Sequence, residues 1–335
     1  MPYNYYLKKC GHQELGSVGT DGHSHRGRYL LISKKPSVLS FFPLLSQAQR
    51  NDFAPVACIP LYLPEKLKVY CNFVYHNDRY HGSTAPHPRN EYRLYLSREL
   101  EGDQCHIEEG DIVIFRKKIE ENINSPLFLT LVKPSDTANY NRCCSIITQS
   151  PLRGNHAVLS GELNFFEALV PAEEGSRVVV DSRVMETLRD VGNVVPPQLE
   201  SLFNQTMFRD FLLVGYQGLC AVTRQVIRHG EMMNIEAAHI RPRAHLGSFL
   251  PSNGLMLSRD LHWAFDKGFF TLNDQYEVQV HPEANSSFLD QFNGRRIFIP
   301  DDSFFRPSRD SIIWHRQHLY GQFRGITGVV RDERH

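Results

Sequence analysis

One stretch near the end of the chain, IEAAHIRPRAHLGSFLPSNGLMLSRDLHWAFDKGFF at residues 235–270, decides how the C-terminal part folds. IEAAHI and LMLS predict two short strands joined through an S-N-G turn, and RDLHWAFDKG predicts a helix directly after the second strand. His262 and Asp266 are four residues apart, so they share one face of that helix. An imidazole and a carboxylate so placed form half of a site for a divalent ion. The alternative is that these histidines are ordinary core residues.

Hydrolysis of a phosphodiester needs an activated water and a cation that neutralises charge on the phosphate and the leaving oxygen. His239 on the first strand could be the base, and His262 with Asp266 could hold the cation. Asn253 lies in the turn between the strands, where its amide could hold the loop and orient the base. The stretch therefore contains the parts of a metal-dependent hydrolytic site.

The chain as a whole has the composition of a soluble globular protein. Its 335 residues are 41% hydrophobic and 22% charged, enough for two domains. No apolar run of about 18 residues predicts a membrane helix, and the N-terminus does not resemble a secretory signal. Seven cysteines without a CxxC pair favour a reducing compartment. We therefore expect a cytoplasmic protein with no membrane contact.

We expect an α+β protein of three segments: a β-rich domain at residues 1–150, a linker with connecting helices at 151–195, and a C-terminal domain at 196–335. Short β-branched and aromatic runs predict strands that form a barrel or a sandwich. The runs are RYLLIS, VACIPLYL, KLKVYCNFVYH, EYRLYL, DIVIFRKK and LFLTLVKP. Apolar spacing in LESLFNQTMFRDFLLVGYQG predicts one amphipathic helix that ends near Gly215 or Gly218.

The C-terminal stretch resembles the HNH nuclease motif. The shared residues are Cys220 to Thr223 (C-A-V-T), Glu236 to Ile240 (E-A-A-H-I) with Pro242, Ser252 to Leu255 (S-N-G-L), Asp260 to His262 (D-L-H), Phe265, Asp266 and Gly268. The resemblance covers about 75 residues and implies a ββα-metal fold around one divalent ion, Mg²⁺ or Mn²⁺. It implies that His239 is the general base, Asn253 the middle asparagine, and His262 with Asp266 the metal ligands.

Two positions depart from that pattern. Ala238 stands where many HNH nucleases carry a further ligand, so the third ligand is Glu236, water or DNA phosphate. The CxxC pairs that hold zinc in many relatives are missing, so we expect no structural zinc. Arg241 and Arg243 flank the base and could bind phosphate. His245 lies in the same loop and is either a loop residue or a contact to DNA or metal.

The N-terminal part resembles the effector domain of EcoRII-like restriction enzymes, over about 120 residues. Four segments occur in the same order: G-T-D-G-H at 19–23, F-F-P at 41–43, R-N-E-Y-R at 89–93 and E-G-D-I-V at 109–113. The resemblance implies a β-pseudobarrel that grips the major groove of double-stranded DNA with two arms. Arginine, asparagine and glutamate side chains can read base edges there.

Candidate DNA-binding residues follow from both resemblances. They are His23, His25, Arg26, Arg28, Lys34, Arg89, Asn90, Glu91, Arg93, Arg241 and Arg243. Alternation along R-N-E-Y-R sends Asn90 and Tyr92 to one face of a strand, with Glu91 and Arg93 on the other. An internal Arg–Glu pair is the alternative for any of these residues.

Together these features predict a sequence-specific double-stranded DNA endonuclease, a type II restriction enzyme. Cleavage of both strands favours a homodimer, with a cognate DNA methyltransferase encoded nearby. Two alternatives stay open: a nuclease that requires modified DNA, and a non-cleaving DNA-binding regulator with an inactive HNH fold. A nuclease activated by a small molecule is disfavoured because the chain lacks a glycine-rich phosphate loop.

Overall fold

The computed structural model describes residues 3–15, 28–101, 106–119, 125–160, 176–190, 197–230 and 232–323. The chain divides into two compact units, Met1–Asp190 and Val191–His335. Across the described ranges, no helix combines the length and the apolar character needed to cross a membrane.

The first unit is built on one sheet, to which the described residues contribute nine strands. The strands are β1 (Tyr3–Lys9), β2 (Tyr29–Ile32), β3 (Phe53–Pro60), β4 (Leu67–His76), β5 (Glu91–Tyr95), β6 (Ile112–Lys118), β7 (Leu127–Val132), β8 (His156–Ser160) and β9 (Arg177–Val180). They run in the order β2-β5-β4-β3-β7-β6-β1-β8, while β9 pairs with β4 in parallel. The sheet curls into a half-barrel.

β4 is an interior strand of this sheet. All ten of its residues are buried, because it pairs with β3, β5 and β9 and its LKVYCNFVYH run is rich in β-branched and aromatic side chains. Its neighbour β3 contains Pro55, which has no amide proton to donate. Pro55 lies where β3 pairs only with β4, because the pairing with β7 begins at Cys58.

Short helices accompany the sheet. They are α1 (His12–Leu15), α2 (Pro36–Leu39), α3 (Arg98–Glu101), α4 (Thr137–Gln149) and α5 (Ser182–Asp190). Residues 151–195, where we expect a linker with connecting helices, include α5 but also β8 and β9. β8 pairs with β1 along five residues, so this segment contributes edges to the sheet.

The second unit is mixed. Its elements are α6 (Pro197–Leu202), α7 (Gln205–Gly215), β10 (Arg228–His229), β11 (Met232–Met233), β12 (Ile235–His239), β13 (Gly254–Ser258), α8 (Arg259–Asp266), β14 (Phe270–Leu272), β15 (Val278–Val280), α9 (Ser287–Asp290) and α10 (Arg309–His318). The strands form three two-stranded ladders. Buried residues of α7, β12, β13 and α8 share one hydrophobic core.

The helix expected across residues 199–218 is divided in two. Asn204 interrupts it, because its side chain accepts a hydrogen bond from the Met207 amide at 3.0 Å and so begins a new helix, α7. α7 ends at Gly215, one of the two predicted ends. The division turns Phe208 and Leu212 of α7 towards the β12–β13 hairpin, whose Gly254 they contact.

Candidate active site

The β12–β13 hairpin and α8 form the frame of the site. β12 pairs with β13 in antiparallel register from Ile235↔Ser258 to His239↔Gly254, and α8 starts at the next residue, Arg259. A Cβ atom at Gly254 would lie 2.5 Å from Leu212 Cδ1. Glycine is therefore needed there for α7 to approach the end of the hairpin that carries His239.

His239 is held by aromatic rings and leaves one ring nitrogen free. Its imidazole stacks on Phe208, with centroids 4.1 Å apart, and meets the ring of Phe249 at 5.6 Å. Nε2 is buried, and no described residue hydrogen-bonds to it. Burial, helped by the Arg243 cation, lowers the pKa of His239 to about 4. The ring is therefore neutral near pH 7, and Nε2 can accept a proton.

The pKa of His262 is raised, in contrast to the lowered pKa of His239. Its Nδ1 donates to Glu236 Oε2 at 2.9 Å, and its Nε2 lies 3.3 Å from Asp266 Oδ2. Burial lowers the pKa of His262, but the hydrogen bonds and charges of Asp266 and Glu236 outweigh burial and raise it overall. The spacing of four residues on α8 thus brings His262 and Asp266 together.

Asn253 closes the loop between the two strands. Its side chain is buried; Oδ1 accepts from the Arg241 amide at 3.0 Å, and Nδ2 donates to the carbonyls of Arg241 and Ser248, both at 3.0 Å. A Cβ at Gly247 would lie 1.7 Å from the Arg241 carbonyl oxygen. The loop after His239 is therefore fixed by one amide and one obligatory glycine.

Arg241 and Arg243 brace the same loop. Arg241 Nε donates to the His245 carbonyl at 2.6 Å, and its guanidinium lies over the Trp314 ring at 5.4 Å. Arg243 donates to the Gly247 carbonyl and lies over the Phe249 ring at 4.2 Å. Because each arginine has further N–H donors, both can bind phosphate while they hold the loop. His245 is exposed beside Trp314, at the edge of the loop.

Comparison with known families agrees with this geometry. The model of the HNH endonuclease family matches residues 220–273, which span β12, the loop, β13 and α8. These residues form an HNH endonuclease domain. No curated protein matches the chain.

One similar solved structure is described as a modification dependent TagI restriction endonuclease, 23% identical, with a TM-score of 0.28. The match covers 39% of this chain and 42% of that one, so the chain spans less than half of that protein.

The donor set of the HNH domain suits a hard divalent ion in part. Imidazole and carboxylate are ligands that such ions accept, and His262 with Asp266 supplies one of each. Among the residues that the structure describes, no group of three or more histidine, cysteine, aspartate or glutamate side chains is arranged to hold a metal ion. His262 and Asp266 are therefore two candidate ligands on one helix, and any further ligand would be Glu236, water or a phosphate oxygen.

The candidate DNA-binding residues between positions 23 and 34 lie in different surroundings. His23, His25 and Arg26 lie outside the described residues. Arg28 is mostly buried: it donates to the Glu101 carboxylate through two nitrogens, with Nε 2.7 Å from Oε2, and to two backbone carbonyls. Arg28 would have to exchange these internal partners to contact DNA, and its role there stays a prediction. Lys34 is exposed.

The R-N-E-Y-R segment lies at the start of β5 and is held by internal contacts. Arg89 Nε donates to Asp78 Oδ2 at 2.6 Å, while Arg93 pairs with Glu91 and lies over the Tyr29 ring at 4.0 Å. Asn90 Oδ1 accepts from the Tyr75 hydroxyl at 2.9 Å. The predicted alternation is present, because Asn90 and Tyr92 both contact Tyr75, whereas Glu91 pairs with Arg93.

Sequence reasoning missed two buried histidines. His315 on α10 is fully buried and stacks on Phe265 at 3.8 Å; its Nε2 donates to the Phe265 carbonyl, and the Thr271 hydroxyl donates to Nδ1. His76 of β4 lies between Asn51 Oδ1 and the Tyr95 hydroxyl. Burial lowers the pKa of both to about 4. No spacing motif marks either residue; they are the satisfied core histidines of this protein.

Proposed function

We propose that the protein is a sequence-specific double-stranded DNA endonuclease of the type II restriction class, working as a homodimer. The observation that carries the proposal is that the HNH domain contains two histidines whose pKa values are shifted in opposite directions. His239 is neutral near pH 7 and no described residue hydrogen-bonds to its Nε2, whereas His262 lies between the carboxylates of Glu236 and Asp266. The candidate base on β12 and the candidate ligand pair on α8 belong to one frame, because Glu236 of β12 accepts a hydrogen bond from His262 of α8.

In this proposal Nε2 of His239 accepts the proton of the attacking water. The stack on Phe208 keeps the ring in place, and Asn253 fixes the backbone that follows it. His262 and Asp266 would hold one divalent ion, Mg²⁺ or Mn²⁺, which stabilises charge on the phosphate and on the departing oxygen. An approaching phosphate anion raises the proton affinity of His239 and makes it a stronger base in the complex than in the free protein.

The first unit would recognise the target. The half-barrel sheet is consistent with the two-armed pseudobarrel, and Lys34 and the partly exposed Arg89 remain available to reach DNA. Asn90, Glu91 and Arg93 would read bases only by exchanging their internal partners. Arg241 and Arg243 would contact the phosphate next to the cleaved bond. A cognate methyltransferase would protect the host site.

Cleavage of plasmid DNA tests the proposal. Wild type should cut with Mg²⁺ or Mn²⁺, stop with EDTA, and give discrete ends by run-off sequencing. His239→Ala should lose cleavage, whereas His229→Ala, an exposed histidine on β10, should retain it. Equal cleavage by His239→Ala and wild type would refute the role of the base. Cutting of methylated plasmid alone would identify a modification-dependent nuclease, and a metal-independent footprint without cutting would identify a regulator.

A further inference from the structure

The two ring nitrogens of His262 have unequal partners. Nδ1 makes a hydrogen bond of 2.9 Å to Glu236 Oε2, whereas Nε2 is 3.3 Å from Asp266 Oδ2. Two nitrogens of one imidazole ring point in diverging directions, so the carboxylates lie on opposite sides of the ring. An ion bound to either nitrogen can be shared with the carboxylate on that side, but not with both.

The surrounding charges distinguish the two carboxylates. Glu236 Oε1 is 3.1 Å from Arg259 Nε, so an arginine partly neutralises its charge. Among the described residues, Asp266 pairs only with His262. Burial lowers the pKa of His239, the proposed base, and the negative charge of Asp266 partly offsets that shift. The carboxylate on the Nε2 side of His262 therefore keeps its negative charge, whereas an arginine partly neutralises the one on the Nδ1 side.

Backbone hydrogen bonding positions Glu236 on the Nδ1 side of the His262 ring. The amide of Arg259 donates to the Asn234 carbonyl at 2.9 Å, which ties the first residue of α8 to the start of β12. Arg259 and His262 are three residues apart and share one face of α8, so Glu236 contacts both. The carboxylate of Glu236 is thus set by the hairpin register, independently of Asp266.

We propose that Glu236 is a positioning residue and not the third metal ligand. It accepts the Nδ1 proton of His262, fixes the tautomer whose Nε2 lone pair points to Asp266, and orients the ring for an ion held by Nε2 and Asp266. Carboxylates that accept from a ligating histidine in this way are common around metal sites. The inference rests on the proposed function, since it assigns roles within the same metal site.

Calorimetric titration of the full-length protein with Mn²⁺ separates a ligand from a positioning residue. Asp266→Ala should abolish binding. Glu236→Ala should weaken it about 10- to 100-fold, the range found when outer partners of metal-bound histidines are removed. Glu236→Gln keeps an oxygen acceptor and should lose less than Glu236→Ala. Glu283→Gln, which removes one charge from an exposed site in the same unit, is the matched control and should bind as wild type does.

The outcomes distinguish two failures. If Glu236→Gln and Glu236→Ala both abolish binding as Asp266→Ala does, Glu236 is a ligand and the inference is wrong while the proposed function stands. If Asp266→Ala binds normally, the inference is also wrong. If wild type does not bind Mn²⁺, the proposed metal mechanism fails and the inference fails with it.

The tautomer of His262 gives a readout that does not depend on affinity. In histidine-labelled protein saturated with Mg²⁺, long-range ¹H–¹⁵N correlation spectra should show His262 protonated at Nδ1 and not at Nε2. Glu236→Ala should weaken this preference. Protonation at Nε2 in the loaded wild type would place the ion on the Glu236 side and overturn the inference.

Discussion

Replacement of Asn253 by alanine should destabilise the second unit by about 2–4 kcal/mol. The side chain is 3% exposed and makes three hydrogen bonds of 3.0 Å, to the amide and carbonyl of Arg241 and to the carbonyl of Ser248. Alanine leaves these backbone groups without partners, and each buried, unsatisfied group costs about 1 kcal/mol or more. Water that enters the loop can partly satisfy these groups, so the expected loss of stability is near the low end of the sum of the three individual costs.

Tryptophan fluorescence during urea unfolding measures this change. Both tryptophans, Trp263 and Trp314, lie in the second unit, so the signal reports that unit alone. Gln317→Ala, an exposed amide on α10, is the control and should change the free energy of unfolding by less than about 0.5 kcal/mol. A value for Asn253→Ala within that same range would refute the reasoning, because the three hydrogen bonds would then contribute nothing net.

Three further predictions concern single sites. Gly247→Ala should prevent the native loop, because its Cβ would lie 1.7 Å from a carbonyl oxygen; native fluorescence and an unchanged unfolding midpoint would contradict this. Since burial holds the pKa of His315 at about 4, against about 6.5 in the unfolded chain, only the unfolded state gains this proton between those values. The free energy of unfolding should therefore fall as pH drops through this window, by up to about 1.4 kcal/mol per pH unit, and His315→Gln should reduce the slope in urea titrations at pH 7 and pH 5. Arg28→Met should destabilise the first unit by about 3–5 kcal/mol, because it leaves buried Glu101 unpaired, and Glu101→Leu in the same chain should restore part of the loss in circular-dichroism melts.

Most strands of the first unit could be predicted from local sequence. Runs such as KLKVYCNFVYH and DIVIFRKK carry the β-branched and aromatic side chains that fill a sheet, and β4 and β6 lie where these runs occur. β1 was missed because YNYYLKK contains lysines that read as surface residues. Lys8 is buried there because β1 lies between β6 and β8, and its ammonium pairs with Glu14 at 2.6 Å. Such a pairing depends on tertiary structure and has no signature in the strand itself.

The sequence indicated which types of residue form the candidate site, but not which atoms contact one another. Spacing alone brings His262 next to Asp266, since residues four apart on a helix share a face. Spacing does not show which ring nitrogen each carboxylate meets, because that choice depends on the register between β12 and β13. The contacts of Arg28 were equally unpredictable. A basic residue that closely follows the G-T-D-G-H segment looks exposed in sequence, yet it pairs with Glu101, 73 residues later.

A nuclease domain can be fused to another protein, and the ring stacks of the second unit determine which residues such a fusion must include. Residues 220–273, which match the family model, do not include Phe208, whose ring stacks on His239. They also lack His315, which covers Phe265 from α10. A fusion that keeps these contacts must therefore include all residues from Asn204, which begins α7, to His318, which ends α10. A shorter graft would carry the motif but not the surfaces that hold its side chains in place.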